Sequence, residues 1–151
     1  MSKKTLITGG CGFIGSHIVE FFHSQNHDIK VLDKYNHSNS LGWLDNYKFR
    51  NDIEFCMGDI RDYDFVKSSA NNCRNIIHLA ALIGIPYSYI SPLAYLKTNI
   101  EGTYNILQAS KNLSYINDII VTSTSEVYGS GKIFPMTEDH SLNSQSPYSA
   151  T

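Results

Sequence analysis

Short apolar runs rich in β-branched residues recur along the chain, with longer stretches of helical spacing between them. Residues 5–8, 29–33, 53–57, 76–80 and 119–124 each read as a strand. Residues 14–24 and 62–70 read as helices. Residues 92–112 read as a longer helix starting at Pro92, where a missing N–H is harmless. Strands alternating with helices predict βαβ units and an α/β fold, with a doubly wound parallel sheet buried on both faces. In the long helix Leu93, Leu96, Ile100, Tyr104 and Leu107 recur every three or four residues, a stripe expected to pack on the sheet. Tyr89, Tyr95 and Tyr104 suggest further apolar contacts, so a homodimer stands among the expectations, behind plain core packing.

Composition narrows the function classes. The 151 residues suit one domain, over residues 1–151, with no repeat or linker. Twelve basic and 14 acidic side chains give a net charge of -2, and no basic run points to nucleic acid or an anionic membrane. The apolar runs fall short of the roughly 20 residues of a membrane span. Met1-Ser2-Lys3-Lys4 leaves no room for a leader before the glycine cluster, so a cytoplasmic protein is expected. Cys11, Cys56 and Cys73 are unclustered and odd in number, which argues against disulfides and a zinc site. Cys11 reads as a small residue that fits its loop rather than as a reactive thiol.

Candidate chemistry begins directly after the first strand, at Thr8-Gly9-Gly10-Cys11-Gly12-Phe13-Ile14-Gly15. Gly9 suits a tight turn, Gly12 a close approach of backbone to a pyrophosphate, and Gly15 close packing of the following helix. That helix would turn its unsatisfied N–H groups and positive dipole end toward the phosphates. Asp33 ends the second strand, 18 residues after Gly15, where a carboxylate can accept the adenosine ribose hydroxyls and repel a 2′-phosphate. NAD is therefore expected over NADP, although Lys34 beside it offers a charge that would neutralise such a phosphate. Asp59 and Ile60 after the third strand are candidates for the adenine amino group and ring. Leu79, Ala80 and Ala81 after the fourth would let backbone lie against the cofactor. His78 just before them reads as a core histidine rather than a catalytic one.

These features describe a Rossmann-type fold, and six ordered motifs go further. The glycine loop, Gly58-Asp59-Ile60, His78-Leu79-Ala80-Ala81, Thr98-Asn99-x-x-Gly102-Thr103, Ser123-Thr124-Ser125-Glu126-Val127-Tyr128-Gly129 and Pro147-Tyr148-Ser149-Ala150-Thr151 span nearly the whole chain. Together they resemble the extended short-chain dehydrogenase/reductase family of nucleotide-sugar epimerases and dehydratases. The stretch from Ala81 through Pro86-Tyr87-Ser88-Tyr89 to Tyr148 looks most like bacterial NAD-dependent 4,6-dehydratases of amino-sugar nucleotides. The resemblance implies NAD as cofactor, held by Gly9, Gly12, Phe13, Ile14, Gly15, Asp33, Lys34, Asp59, Ile60, Leu79, Ala80, Ala81 and Asn99. It also implies a UDP- or GDP-linked amino sugar as substrate. The family's Tyr-x-x-x-Lys pattern falls on Tyr148 and places its lysine directly after Thr151. A piece truncated before the smaller C-terminal substrate domain, and inactive by itself, is therefore expected.

By the same resemblance Tyr148 takes the proton of a sugar C4 hydroxyl while hydride moves from C4 to NAD. Thr124 hydrogen-bonds the same oxygen, with Ser123 or Ser125 as substitutes. Glu126 then removes the acidified C5 proton, water leaves from C6 and hydride returns there. Dehydratases of this type carry Asp-Glu where this chain has Ser125-Glu126, and Thr-Ser-Glu also resembles sugar-acid decarboxylases of the family. A 4,6-dehydratase is the leading expectation. A 4-epimerase or decarboxylase is the alternative, and an NAD-binding protein without turnover the third.

Overall fold

The computed structural model describes residues 4–151; Met1, Ser2 and Lys3, on which the leader argument rests, lie outside the described residues. Five parallel strands form one sheet in the order β3-β2-β1-β4-β5: β1 Thr5–Thr8, β2 Ile29–Asp33, β3 Glu54–Met57, β4 Asn75–His78 and β5 Asp118–Val121. Ile7 pairs with Val31 on one side and Ile77 on the other. The chain starts in the middle, winds outward to β3, then crosses to β4 and β5. This is the expected doubly wound topology, which places a crevice at the carboxyl ends of β1 and β4.

The two-residue period of a strand splits the core in two. Leu6, Leu32 and Ile76 face Val66 and Ala70 of α2 (Tyr63–Ala70) and Ile106 and Ala109 of α5 (Gly102–Lys111). Ile7, Val31 and Ile77 face Val19 of α1 (Phe13–Ser24) and Leu44. Helix α2 starts where the Asp62 carboxylate caps the Phe65 amide at 3.1 Å. Strand β4 ends at His78 rather than at residue 80 because the Thr8 hydroxyl accepts the Leu79 and Ala80 amides, each at 3.2 Å.

Two expectations are corrected. The sheet is not buried throughout in this chain: Ile119, Ile120 and Val121 of β5, which pairs only with β4 among the described residues, are exposed. The long helix begins at Pro92 as expected but runs as α4 (Pro92–Tyr95), a π-helical segment Leu96–Glu101 and α5, and turns its other side inward. Leu93, Leu96, Ile100, Tyr104 and Leu107 are 44–68% exposed, whereas Tyr95, Asn99, Asn105, Ile106 and Ala109 are buried. The reason lies in size and polarity. A Cβ on Gly102 would sit 2.5 Å from Ile60 Cδ1, so the helix approaches the core too closely for a larger residue. Asn105 Nδ2 donates to the Ile60 carbonyl at 3.0 Å. A short helix α3 (Ile85–Ile90), unforeseen in the periodicity, precedes it.

Candidate functional site

The crevice is built from strand ends. At the end of β1, Gly9 turns the chain with φ 72°, and a Cβ there would lie 2.9 Å from the Ala80 amide nitrogen. Gly15 lets α1 close on the loop, since a Cβ would reach 2.7 Å from Gly10 Cα. Gly12 differs: a Cβ would meet only the Gly9 carbonyl, at 3.2 Å, and otherwise open space. It is also the N-terminal residue flanking α1 and supplies no side-chain cap. Amides of the first turn and the helix dipole thus face a cradle that a side chain would fill. Phe13 and Ile14 are exposed at this end. Phe13 meets Trp43 edge-on at 5.1 Å, and Trp43 donates its amide to the Cys11 carbonyl at 3.1 Å. Burial, reinforced by Asp33, pushes the Cys11 thiol up to about 12, so it stays neutral.

Asp33 has two roles in view. Its Oδ2 accepts the Cys11 amide at 2.8 Å and its Oδ1 the Lys34 amide at 2.7 Å, which ties the glycine loop to the end of β2. Asp59, beyond the neighbouring strand β3, is gripped by Arg61 through Nε at 2.9 Å and Nη2 at 2.6 Å, with Lys34 Nζ at 3.4 Å. The Arg61 hydrogen bonds hold its carboxyl far below the usual carboxylate range. Ile60 is 5% exposed and packs in the core, so little of its side chain is left to face a ring.

At the end of β4, the Leu79 and Ala80 backbone passes close over Gly9, and Ala81 follows them. Asn99, buried in the π segment, pins the next step of the same loop: its Oδ1 accepts the Leu82 amide at 2.8 Å and its Nδ2 donates to the Leu82 carbonyl at 3.0 Å. The same Nδ2 reaches the Thr151 hydroxyl at 3.0 Å. The Thr151 hydroxyl donates to the Tyr148 carbonyl at 2.9 Å. One asparagine therefore joins the loop after β4 to the segment carrying Tyr148. His78 is buried between Thr8 and Thr103, as expected of a core histidine.

Past β5, Thr124 is half-buried and its Oγ1 accepts the Glu126 amide at 3.3 Å, capping a 3-10 turn over Ser125–Tyr128. Ser125 and Glu126 are exposed. Tyr148 is half-buried, its ring edge-on to buried Tyr95 at 6.3 Å. The segment is held by Asn143 N donating to the Val127 carbonyl at 2.8 Å and Tyr89 Oη donating to the Gln145 carbonyl at 2.7 Å. The structure thus links the Tyr148 segment to the turn bearing Glu126 and to Asn99. Sequence reasoning missed Arg61, Thr103 and Tyr95. Arg61 carried a signal, lying two residues beyond a candidate carboxylate; Thr103 and Tyr95 had none beyond the motif and the helix around them. Among the described residues no cluster suited to a metal ion occurs, and no helix is long and apolar enough to cross a membrane.

Comparison with known proteins matches residues 6–151 to the family model of GDP-mannose 4,6 dehydratase. A putative UDP-glucose 4-epimerase from Methanocaldococcus jannaschii is 34% identical over 148 residues, 95% of this chain and 45% of that protein. A UDP-N-acetyl-alpha-D-glucosaminuronate decarboxylase from Bacillus cytotoxicus is 34% identical over 139 residues, 92% of this chain and 41% of that protein. The crystal structure of a dTDP-glucose 4,6-dehydratase from Streptomyces venezuelae, with NAD and TYD bound, superposes with a TM-score of 0.85. It is 30% identical, covering 97% of this chain and 47% of that one. The chain spans less than half the length of these relatives.

Proposed function

Because the chain belongs to the GDP-mannose 4,6 dehydratase family, we propose that it is the NAD-binding part of an enzyme acting on a nucleotide sugar, and that the reaction is a 4,6-dehydration. The observation that carries the cofactor reading is the cradle at Gly12, open to a group that a Cβ would displace, beside uncapped helix amides and the Asp33 carboxylate. The dinucleotide's phosphates would lie on the amides of residues 13–15, its ribose on Asp33, and its far end along residues 79–81. When bound there, NAD supplies a hydride acceptor.

The chain's own groups supply the rest. Tyr148 takes the proton of the sugar hydroxyl being oxidised. Thr124, half-buried and fixed by its cap, donates a hydrogen bond to the same oxygen. Asn99 holds the Tyr148 segment against the loop after β4. Glu126, exposed in the first turn after Thr124, is the base for the C5 proton once C4 is a ketone. A 4-epimerase uses the same groups save Glu126; the named relatives of both kinds support keeping that reading beside the first.

The substrate's nucleotide and sugar are taken as a UDP- or GDP-linked amino sugar. A second copy of the chain is proposed to cover the exposed apolar stripe Leu93, Leu96, Ile100, Tyr104 and Leu107, beside exposed Lys97 and Glu101, by two-fold self-pairing.

The test uses Glu126→Gln in a protein carrying this chain together with the family's substrate domain. In a dehydratase, C4 oxidation persists while C5 proton removal stalls, so reduced cofactor accumulates and 4-keto-6-deoxy product falls. Turnover near the wild-type rate, with product altered only in C4 stereochemistry, replaces dehydration by epimerisation.

A further inference from the structure

At the ribose end of the crevice two carboxylates and two cations stand together. Asp33 uses both oxygens on backbone amides, Cys11 N on Oδ2 and Lys34 N on Oδ1, and forms no ion pair with either cation. Both cations go instead to Asp59. Arg61 engages it with two side-chain hydrogen bonds, at 2.9 and 2.6 Å, and a third from its amide at 3.0 Å. Lys34 Nζ stands 3.4 Å from Asp59 Oδ2. Strand register explains the meeting: β2 and β3 are paired with Asp33 opposite Met57, so Lys34 and Asp59 leave neighbouring strand ends together. A side-on guanidinium–carboxylate pair fixes the arginine plane as well as its charge.

Lys34 lies beside the residue that receives the adenosine ribose, where its ammonium would otherwise suit a 2′-phosphate. We propose that Asp59 is a cofactor-specificity determinant, sequestering Lys34 and Arg61 so that neither is free to meet the 2′-phosphate of NADP. The proposal rests on the NAD-binding reading of the same crevice. With Asp59 in place, a 2′-phosphate would meet two carboxylates, Asp33 and Asp59, set against two cations, with no net positive charge to attract it. Without it, the same cations present uncompensated positive charge to that phosphate.

The experiment is calorimetric titration, with NAD and NADP, of a protein carrying this chain together with the family's substrate domain. Asp59→Asn keeps the side-chain shape and removes its charge. The ratio of the NADP to the NAD dissociation constant is expected to fall about tenfold, as two partly exposed cation contacts would give. Adding Lys34→Gln and Arg61→Gln to Asp59→Asn should restore the ratio. An unchanged ratio in Asp59→Asn overturns the proposal. So does a gain that survives loss of both cations, because simple removal of carboxylate repulsion would then account for it. Should Asp59→Asn fail to fold, Asp59→Ser decides: the same fall in the ratio is expected, and an unchanged ratio overturns the proposal. If the native chain binds neither nucleotide, the cofactor reading itself fails, a result the native titration separates from all the others.

Discussion

The Thr8 hydroxyl and His78 Nδ1 meet at 2.6 Å inside the sheet, and the geometry assigns the proton. The Thr8 oxygen already accepts the amides of Leu79 and Ala80, so its single hydrogen must go to His78. That leaves Nε2 as the protonated ring nitrogen, donating to the Thr103 hydroxyl at 2.9 Å. A neutral histidine thus joins β1, β4 and α5 directly beneath the loop that would carry the cofactor.

This arrangement makes stability depend on pH. Burial holds His78 down to about 4, from an ordinary 6.5. Between those values the unfolded chain takes up a proton that the folded chain refuses, so stability falls as pH drops through that window. From pH 7 to pH 5 this single group should remove about 2 kcal/mol. Urea unfolding at the two pH values measures it, and His78→Gln should flatten the difference by that amount.

Gly12 and Gly15 should fail in opposite ways. Gly15→Ala forces a Cβ against the Gly9 and Gly10 backbone and should destabilise the chain by about 1–3 kcal/mol. Gly12→Val meets only the Gly9 carbonyl, 3.2 Å from its Cβ, and should cost less stability than Gly15→Ala, while NAD affinity falls at least ~10-fold because the pyrophosphate position is filled. Thermal melts and calorimetry on both variants separate the two effects.

Glu126→Gln distinguishes the reactions. Loss of one general base typically lowers rate by about 10²–10⁴. A drop of that size in product formation, with reduced cofactor building up in stopped-flow absorbance, is expected for dehydration. In deuterated solvent, wild-type product should carry deuterium at C5.

The exposed stripe should respond to charge. Ile100→Glu places a carboxylate in the middle of the apolar face, 47% exposed in the single chain. Light scattering should then report a monomer where the native chain gives a dimer. A monomeric native chain removes the self-pairing proposal.

The sequence by itself determined the strands, their alternation with helices, the glycine loop and the family motifs, because these are local matters of two-residue and glycine periodicities. Direction was another matter for the long helix. Hydrophobicity pointed Leu93, Leu96 and Ile100 inward, and only the tertiary structure decided otherwise, since Gly102 must pass Ile60 closely and Asn99 and Asn105 satisfy loop backbone. The exposure of Ile119, Ile120 and Val121 in this chain likewise depends on what packs against β5, which no single run of Ile-Ile-Val records. At the site, the identities of Asp33, Asp59 and Tyr148 could be read from motifs. That Asp59 engages Lys34 and Arg61, and that Asn99 ties the loop after β4 to the Tyr148 segment, depends on side chains brought together across strand ends and so only on the fold.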